Sequence, residues 1–393
     1  MKVIKKIFIS LILFIALVCL GLWITGYGYI LVGLTSTYLV GKSGPAINER
    51  HIFENRTVSP AADPYIWQMH EGAFAARLNQ EQEIYLSDIK TASFLVIKND
   101  KILFEKYWDE YSDTVPTNSF SVAKSIVSLL VGVAVNEGKI ISIDQPVADY
   151  LSAFKEEGRD KITIRHLLAM SSGLKWSESG SNPFSDNARA YYGDELEKQV
   201  LNRKVVKEPG KYFEYLSGDS QLLAMVLESA VGMNLSEYAS LKLWKPMGAS
   251  YNAYWNLDHK DGIEKAFCCF YATPRDFALI GKLIQDGGRV GEIQLVDAAF
   301  LAEAFKPGAP LETDDKPNSR YGLHWWLLQH NGYDIIYARG ILGQYIISIP
   351  REQLIIVRTG SKRKNSNEGG HPEDVLEYVN IALYLNNLKT TEG

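Results

Sequence analysis

The stretch that most restricts how this chain can fold runs from about residue 120 to 137. Ile126, Val127, Leu129, Leu130, Val131, Val133 and Val135 crowd successive helical turns, and a helix with so much apolar surface must be enclosed by the rest of its domain. Lys124 lies at its start, one turn after Ser121. Burying an ammonium ion there is costly unless its neighbours offset it, so the lysine needs a reason. Positions three apart share a helix face, which brings the amine within reach of the Ser121 hydroxyl. A lysine withdrawn from water can accept a proton, and amide groups at a helix start favour developing negative charge. One short segment can therefore supply a nucleophile, its activator and part of an oxyanion hole. The bland alternative is a capping serine followed by a lysine that snorkels past the helix end.

Ser-x-x-Lys alone is a weak signal, because the chain holds five: Ser87/Lys90, Ser121/Lys124, Ser152/Lys155, Ser172/Lys175 and Ser361/Lys364. The pairs at 87, 152 and 361 lie in polar, turn-like surroundings where a lysine reaches water. Ser172 stands at a helix end beside Gly173 and suits a cap. Only Ser121/Lys124 opens a strongly apolar helix. The sequence contains no G-x-S-x-G, which removes the usual nucleophile-elbow reading.

The N-terminus sets a second constraint. After MKVIKK comes an uncharged apolar run from Ile7 to Ile24, close to the roughly 20 residues that cross a bilayer. The following residues stay apolar and offer no small-residue cleavage site, so an uncleaved anchor is favoured over a removed signal peptide. Val18 is bulky where a lipoprotein site before Cys19 would want a small residue. Lys2, Lys5 and Lys6 would remain cytoplasmic, placing the rest in the periplasm or outside the cell. This sets the membrane as one partner. A net charge of −5 argues against nucleic acid. The histidines are scattered without metal-ligand spacing, so neither metal nor cofactor is expected. Adjacent cysteines rarely pair, so Cys268 and Cys269 read as unpaired core filler.

Along the chain, residues 1–44 read as anchor and tether and 45–90 as an N-terminal extension. A hairpin follows over 93–108, turning at Asn99-Asp100. A helix over 163–174 is capped by Thr163 and closed by Gly173, and helical patterns continue to about 290, with Pro274 suited to a first turn. Three β-runs (YDIIYARG, QYIISIP and QLIIVRTG) and a closing helix end the chain. Strands at both ends with helices between predict an α+β fold: an antiparallel sheet (about 91–135 and 290–393) flanked by helices, with an all-α insert (about 136–289).

Tyr215-Leu216-Ser217 lies between a Pro-Gly turn and a helix, and Gly340, Gly343 and Gln344 precede a buried strand. With Ser-x-x-Lys, these resemble the serine β-lactamase and penicillin-binding-protein superfamily in its class C branch, over roughly residues 91–385. The tract 212–290 and the run WWLL…GILGQYIIS look more like the 6-aminohexanoate-dimer hydrolases and related esterases; TIRHLLAMSSGL, LWKPMGA and ATPRDFALIGKLIQDGG fit the same superfamily. The resemblance implies a β-lactamase/DD-peptidase-like fold and a serine hydrolase. Ser121 would be acylated, Lys124 would hold or relay its proton, and Tyr215 would complete the base pair and protonate the leaving group. Backbone N–H groups of Ser121 and Ile341 would form the oxyanion hole. Ser217, Gly340, Gly343, Gln344 and Trp325 would meet the substrate.

Two departures matter. Ser217 stands where many β-lactamases have Asn, and Gly340-Ile341-Leu342-Gly343 replaces Lys-Thr-Gly. The missing lysine would hold a carboxylate, so a neutral ester or amide substrate is favoured over a β-lactam or cell-wall peptide. A D-Ala-D-Ala carboxypeptidase or β-lactamase remains the enzymatic alternative, and an inactive binding protein of the same fold the other. Tyr191, Tyr192, Tyr212, Trp326, Tyr337 and Tyr345 are aromatic candidates for cleft or core, and Arg339 for a substrate carboxylate. Arg275 and Asp276 read as pairing or capping residues.

Overall fold

The computed structural model describes residues 1–367 and 369–388. The β-runs from both ends of the sequence meet in one sheet. β1 (Thr91–Lys98) and β2 (Lys101–Tyr107) form the hairpin; β3 (Trp326–His330), β4 (Tyr333–Gly340), β5 (Gln344–Ile349) and β6 (Leu354–Gly360) form the C-terminal meander. Their order is β3-β4-β5-β6-β1-β2, antiparallel throughout, with Gln68–Met69 added parallel at the outer edge. The hairpin turns where expected: Asn99 and Asp100 take φ 47° and 61°, the left-handed values a two-residue turn requires.

Both faces of the sheet are covered, which is why its strands are apolar runs rather than alternations. The helices used below are α1 (Lys2–Ile24), α2 (Tyr29–Ser36), α3 (Val122–Asn136), α4 (Asp186–Tyr192), α5 (Ser217–Val231), α6 (Pro274–Gln285) and α7 (Glu373–Asn387). Leu95, Ile97, Ile355 and Val357 face α6 and the helical layer. Phe94, Val96, Leu354 and Ile356 point the other way, onto Val375, Tyr378 and Val379 of α7. At Gly281 of α6 a Cβ would stand 2.3 Å from Ile355, so the helix lies almost on the strand.

Every residue of α3 from Val122 to Ala134 is buried, as its composition demands, and α3 packs on α5. Two expectations fail. The insert is not all helical: Ala253–Asn256 and Phe270–Ala272 join Asn55–Val58 and Thr117–Asn118 in a second, four-stranded sheet, built from strands too short to show a period. The helix opened by Thr163 spans only Ile164–Leu168, because Met170, at φ 54°, turns the chain before Gly173. At the N-terminus α1 begins at Lys2; its best 18-residue window has a mean hydropathy of 3.0, and it is long and apolar enough to cross a membrane.

Candidate active site

The nucleophile segment is built on a kink. Asn118, in the small sheet, accepts the Phe120 N–H at 2.9 Å through its side chain, and Ser119 donates its N–H to Phe270 O at 2.8 Å. Phe120 is forced to φ 46°, a conformation costing about 1–3 kcal/mol that its burial helps to offset. The kink leaves Ser121 at the N-cap of α3 with its side chain part-exposed, while Lys124 is 1% exposed. The lysine therefore does not snorkel. Its Nζ lies 3.0 Å from Ser121 Oγ and donates to Phe267 O at 2.7 Å, with the rings of Tyr215 and Phe267 at 5.1 and 5.7 Å. Two oxygens and two π-faces thus replace the water that burial removed.

A cleft of about 300 Å³ opens over this pair, bordered by Ser121, Tyr215, Ser217, Gly340 and Ile341. The Tyr215 ring rests on Trp326 at 5.6 Å and against Tyr321 at 6.0 Å. Arg339 stacks on Trp326, 3.5 Å from the ring centroid. Burial holds the phenols of Tyr321 and Tyr191 well above the ordinary tyrosine range, so both stay neutral.

The glycine edge divides into two parts. At Gly340 a Cβ would meet Ser119 O at 2.3 Å, so the end of β4 can lie against the nucleophile segment only without a side chain. Ile341 follows at the cleft, half-exposed. Gly343 and Gln344, expected beside the substrate, instead hold this edge from behind. Gly343 sits at φ 89° against the guanidinium of buried Arg358, which donates to the carbonyls of Leu342 and Gly343. Gln344 donates to Ile341 O and Gly360 O and accepts the Gly360 N–H. Trp325 is also displaced from its expected place: it is fully buried against Phe305, since successive residues point to opposite sides entering a strand. Trp326 takes the position beneath Tyr215.

Ser217 reaches the cleft, but its hydroxyl donates to Glu178 at 2.5 Å and its N–H to the same carboxylate at 2.7 Å. Trp176 Nε1 adds a third bond at 2.9 Å. Glu178 thus caps the start of α5 while bordering the cleft. Nothing in the sequence marks it, because its loop, WSESGSNPF, carries no period. Asn187 and Arg363 border the cleft as well, as does Pro45 from the N-terminal segment. Arg339 and Arg363 restore positive charge to an edge that lacks the usual lysine. Of the aromatic candidates, Tyr191 and Tyr192 line the cleft, whereas Tyr337 and Tyr345 belong to the core and Tyr212 pairs with Asp315. Arg275 bonds Glu105, and Asp276 accepts N–H groups of Ser250 and Tyr251. Cys268 and Cys269 are disulfide-bonded to each other, contrary to expectation. Cys269 at φ 68° reverses the backbone just after the carbonyl that holds Lys124, and Cys268 forms part of the cleft wall.

The arrangement has relatives. Over 305 residues the chain is 25% identical to the 6-aminohexanoate-dimer hydrolase of Paenarthrobacter ureafaciens, covering 74% of this chain and 77% of the relative. Its fold matches that of a candidate 6-aminohexanoate-dimer hydrolase from Bacillus anthracis with a TM-score of 0.74 at 20% identity, covering 88% and 94% of the two chains. A family VIII carboxylesterase matches with a TM-score of 0.64 at 18% identity, over 81% and 99%. The family model for Beta-lactamase matches residues 81–379, the span that carries the whole cleft except Pro45, and the chain belongs to the beta-lactamase family.

Proposed function

We propose that the protein is a serine hydrolase that cleaves an ester or amide bond through an acyl-enzyme on Ser121. The observation that carries this is the 3.0 Å contact of Lys124 Nζ with Ser121 Oγ, inside a cleft that Tyr215 also borders. Ser121 Oγ attacks the substrate carbonyl carbon and its proton passes to the Lys124/Tyr215 pair. The tetrahedral oxyanion takes hydrogen bonds from the N–H groups of Ser121 and Ile341. The carbon–leaving-group bond breaks as the pair returns the proton to the departing alcohol or amine. Water then attacks the acyl ester, releasing the acid and restoring the serine. The chemistry uses the protein's own groups. One relative is named a 6-aminohexanoate-dimer hydrolase and one structural neighbour a family VIII carboxylesterase, in keeping with this substrate range. The helix α1 anchors the enzyme, with the catalytic domain on the periplasmic or outer side.

Incubation with a fluorophosphonate and a short-chain chromogenic ester tests the assignment: the parent should gain one adduct and turn the ester over, and Ser121→Ala should do neither. Equal labelling of the two proteins would overturn it. Arg339 and Arg363 favour a second reading, an amide substrate bearing a carboxylate such as a peptide or β-lactam. Nitrocefin turnover or a penicillin adduct on Ser121 would support that reading over a neutral ester.

A further inference from the structure

The segment between α1 and the catalytic domain is not a free tether. Only four residues separate Ile24 from Tyr29, a span of at most about 18 Å fully extended, so α2 must lie where α1 ends. The link is folded: Tyr27 donates its N–H to Leu22 O, and the Trp23 ring lies under Gly28. α2 packs on α4, where a Cβ at Gly33 would come 3.3 Å from the Tyr192 ring. α4 in turn lines the Ser121 cleft with Asn187, Ala188, Tyr191 and Tyr192. One helix therefore separates the cleft from the chain leaving α1.

This side of the molecule carries exposed apolar side chains. Tyr38, Leu39 and Val40 follow α2 with 64%, 76% and 58% of their surface exposed, and Phe184, just before α4, has 65%. The Phe184 ring lies 5.7 Å from that of Tyr27, although they are distant in sequence. Aromatic rings beside the end of a spanning helix suit the headgroup level of a bilayer. An apolar rim this exposed calls for a cover, and the length of the link leaves the membrane as the surface within reach.

We propose that the rim of Tyr27, Tyr38, Leu39, Val40 and Phe184 is seated in the interface of the membrane that α1 spans. The cleft then draws on substrates held in that interface: amphiphilic esters or amides whose aliphatic chain remains among the lipids while the carbonyl reaches Ser121. The proposal rests on the anchored-hydrolase reading above and adds to it the source and class of substrate.

The test uses the full chain in phosphatidylcholine vesicles. A photoactivatable phosphatidylcholine should leave adducts on the peptide holding Phe184 as well as on residues near α1. Replacing both Leu39→Ser and Phe184→Ser should lower turnover of a vesicle-borne dodecanoyl ester by about tenfold and leave a water-soluble acetyl ester unaffected. The acetyl ester also reports that the variant is folded. Adducts confined to residues 1–28, or equal losses on both esters, would overturn the seating. If neither ester turns over and Ser121 takes no fluorophosphonate, the hydrolase reading fails, while the lipid adduct at Phe184 still decides the seating.

Discussion

Lys124 shows at the scale of one side chain how function and stability divide. Its amine is enclosed and held by one hydroxyl and one carbonyl oxygen. Lys124→Met should therefore cut ester turnover by about 10²–10⁴-fold, the range for loss of a positioned proton carrier. The urea midpoint should fall only slightly, because an apolar side chain suits the enclosed site while Phe267 O loses its donor. A large drop in midpoint would mean that the lysine is held for structure. That Ser121 and Lys124 belong together was legible from their spacing, a local property of one helix. Glu178 was not, because its place depends on a loop meeting the start of α5 through Ser217 and Trp176. The pairing of Cys268 with Cys269 was also hidden, since it accompanies a left-handed backbone turn at Cys269 that residue type alone does not announce.

Among the elements, those with strong local patterns were readable from sequence: the apolar runs of the β1–β2 hairpin and the three closing strands, and the helices α3 and α7. Elements set by contact with distant residues were not. Ala253–Asn256 is a strand because Asn55–Val58 and Phe270–Ala272 lie on either side of it. Which residues of the glycine edge touch the cleft was likewise invisible, since Gly340 and Gly343 look alike in sequence. Their neighbours differ: Ser119 O for one and the Arg358 guanidinium for the other. Gly340→Ala should destabilise the protein by about 1–3 kcal/mol and also lose activity, because its added carbon presses on the backbone beside Ser121. Urea unfolding and ester turnover measured together check this; a variant of parental stability and rate would contradict the close approach of β4.

At the scale of the whole molecule, the helical layer carries a buried acid. Asp219 of α5 accepts the Ser172 hydroxyl at 2.6 Å, and burial pushes its carboxyl up to about 8. An unfolded aspartate ionises near 3.9. Between those values the native chain holds one more proton than the unfolded chain at this site, so its contribution to stability falls as pH rises from about 4 to about 8. Asp219→Asn should remove that slope, so that unfolding midpoints measured across this range show the variant gaining on the parent as pH increases. A constant difference would refute the shift. The order of the sheet has a further consequence for biogenesis. The strand β1 pairs with β2 on one side and, on the other, with β6, whose first residue is Leu354 facing Lys98. During synthesis the hairpin would appear early with one edge open, and its partner only after some 250 further residues. Such distant pairing makes folding slow and leaves that edge prone to aberrant association, so a chaperone that shields the nascent chain should raise its yield more than added thermal stability would.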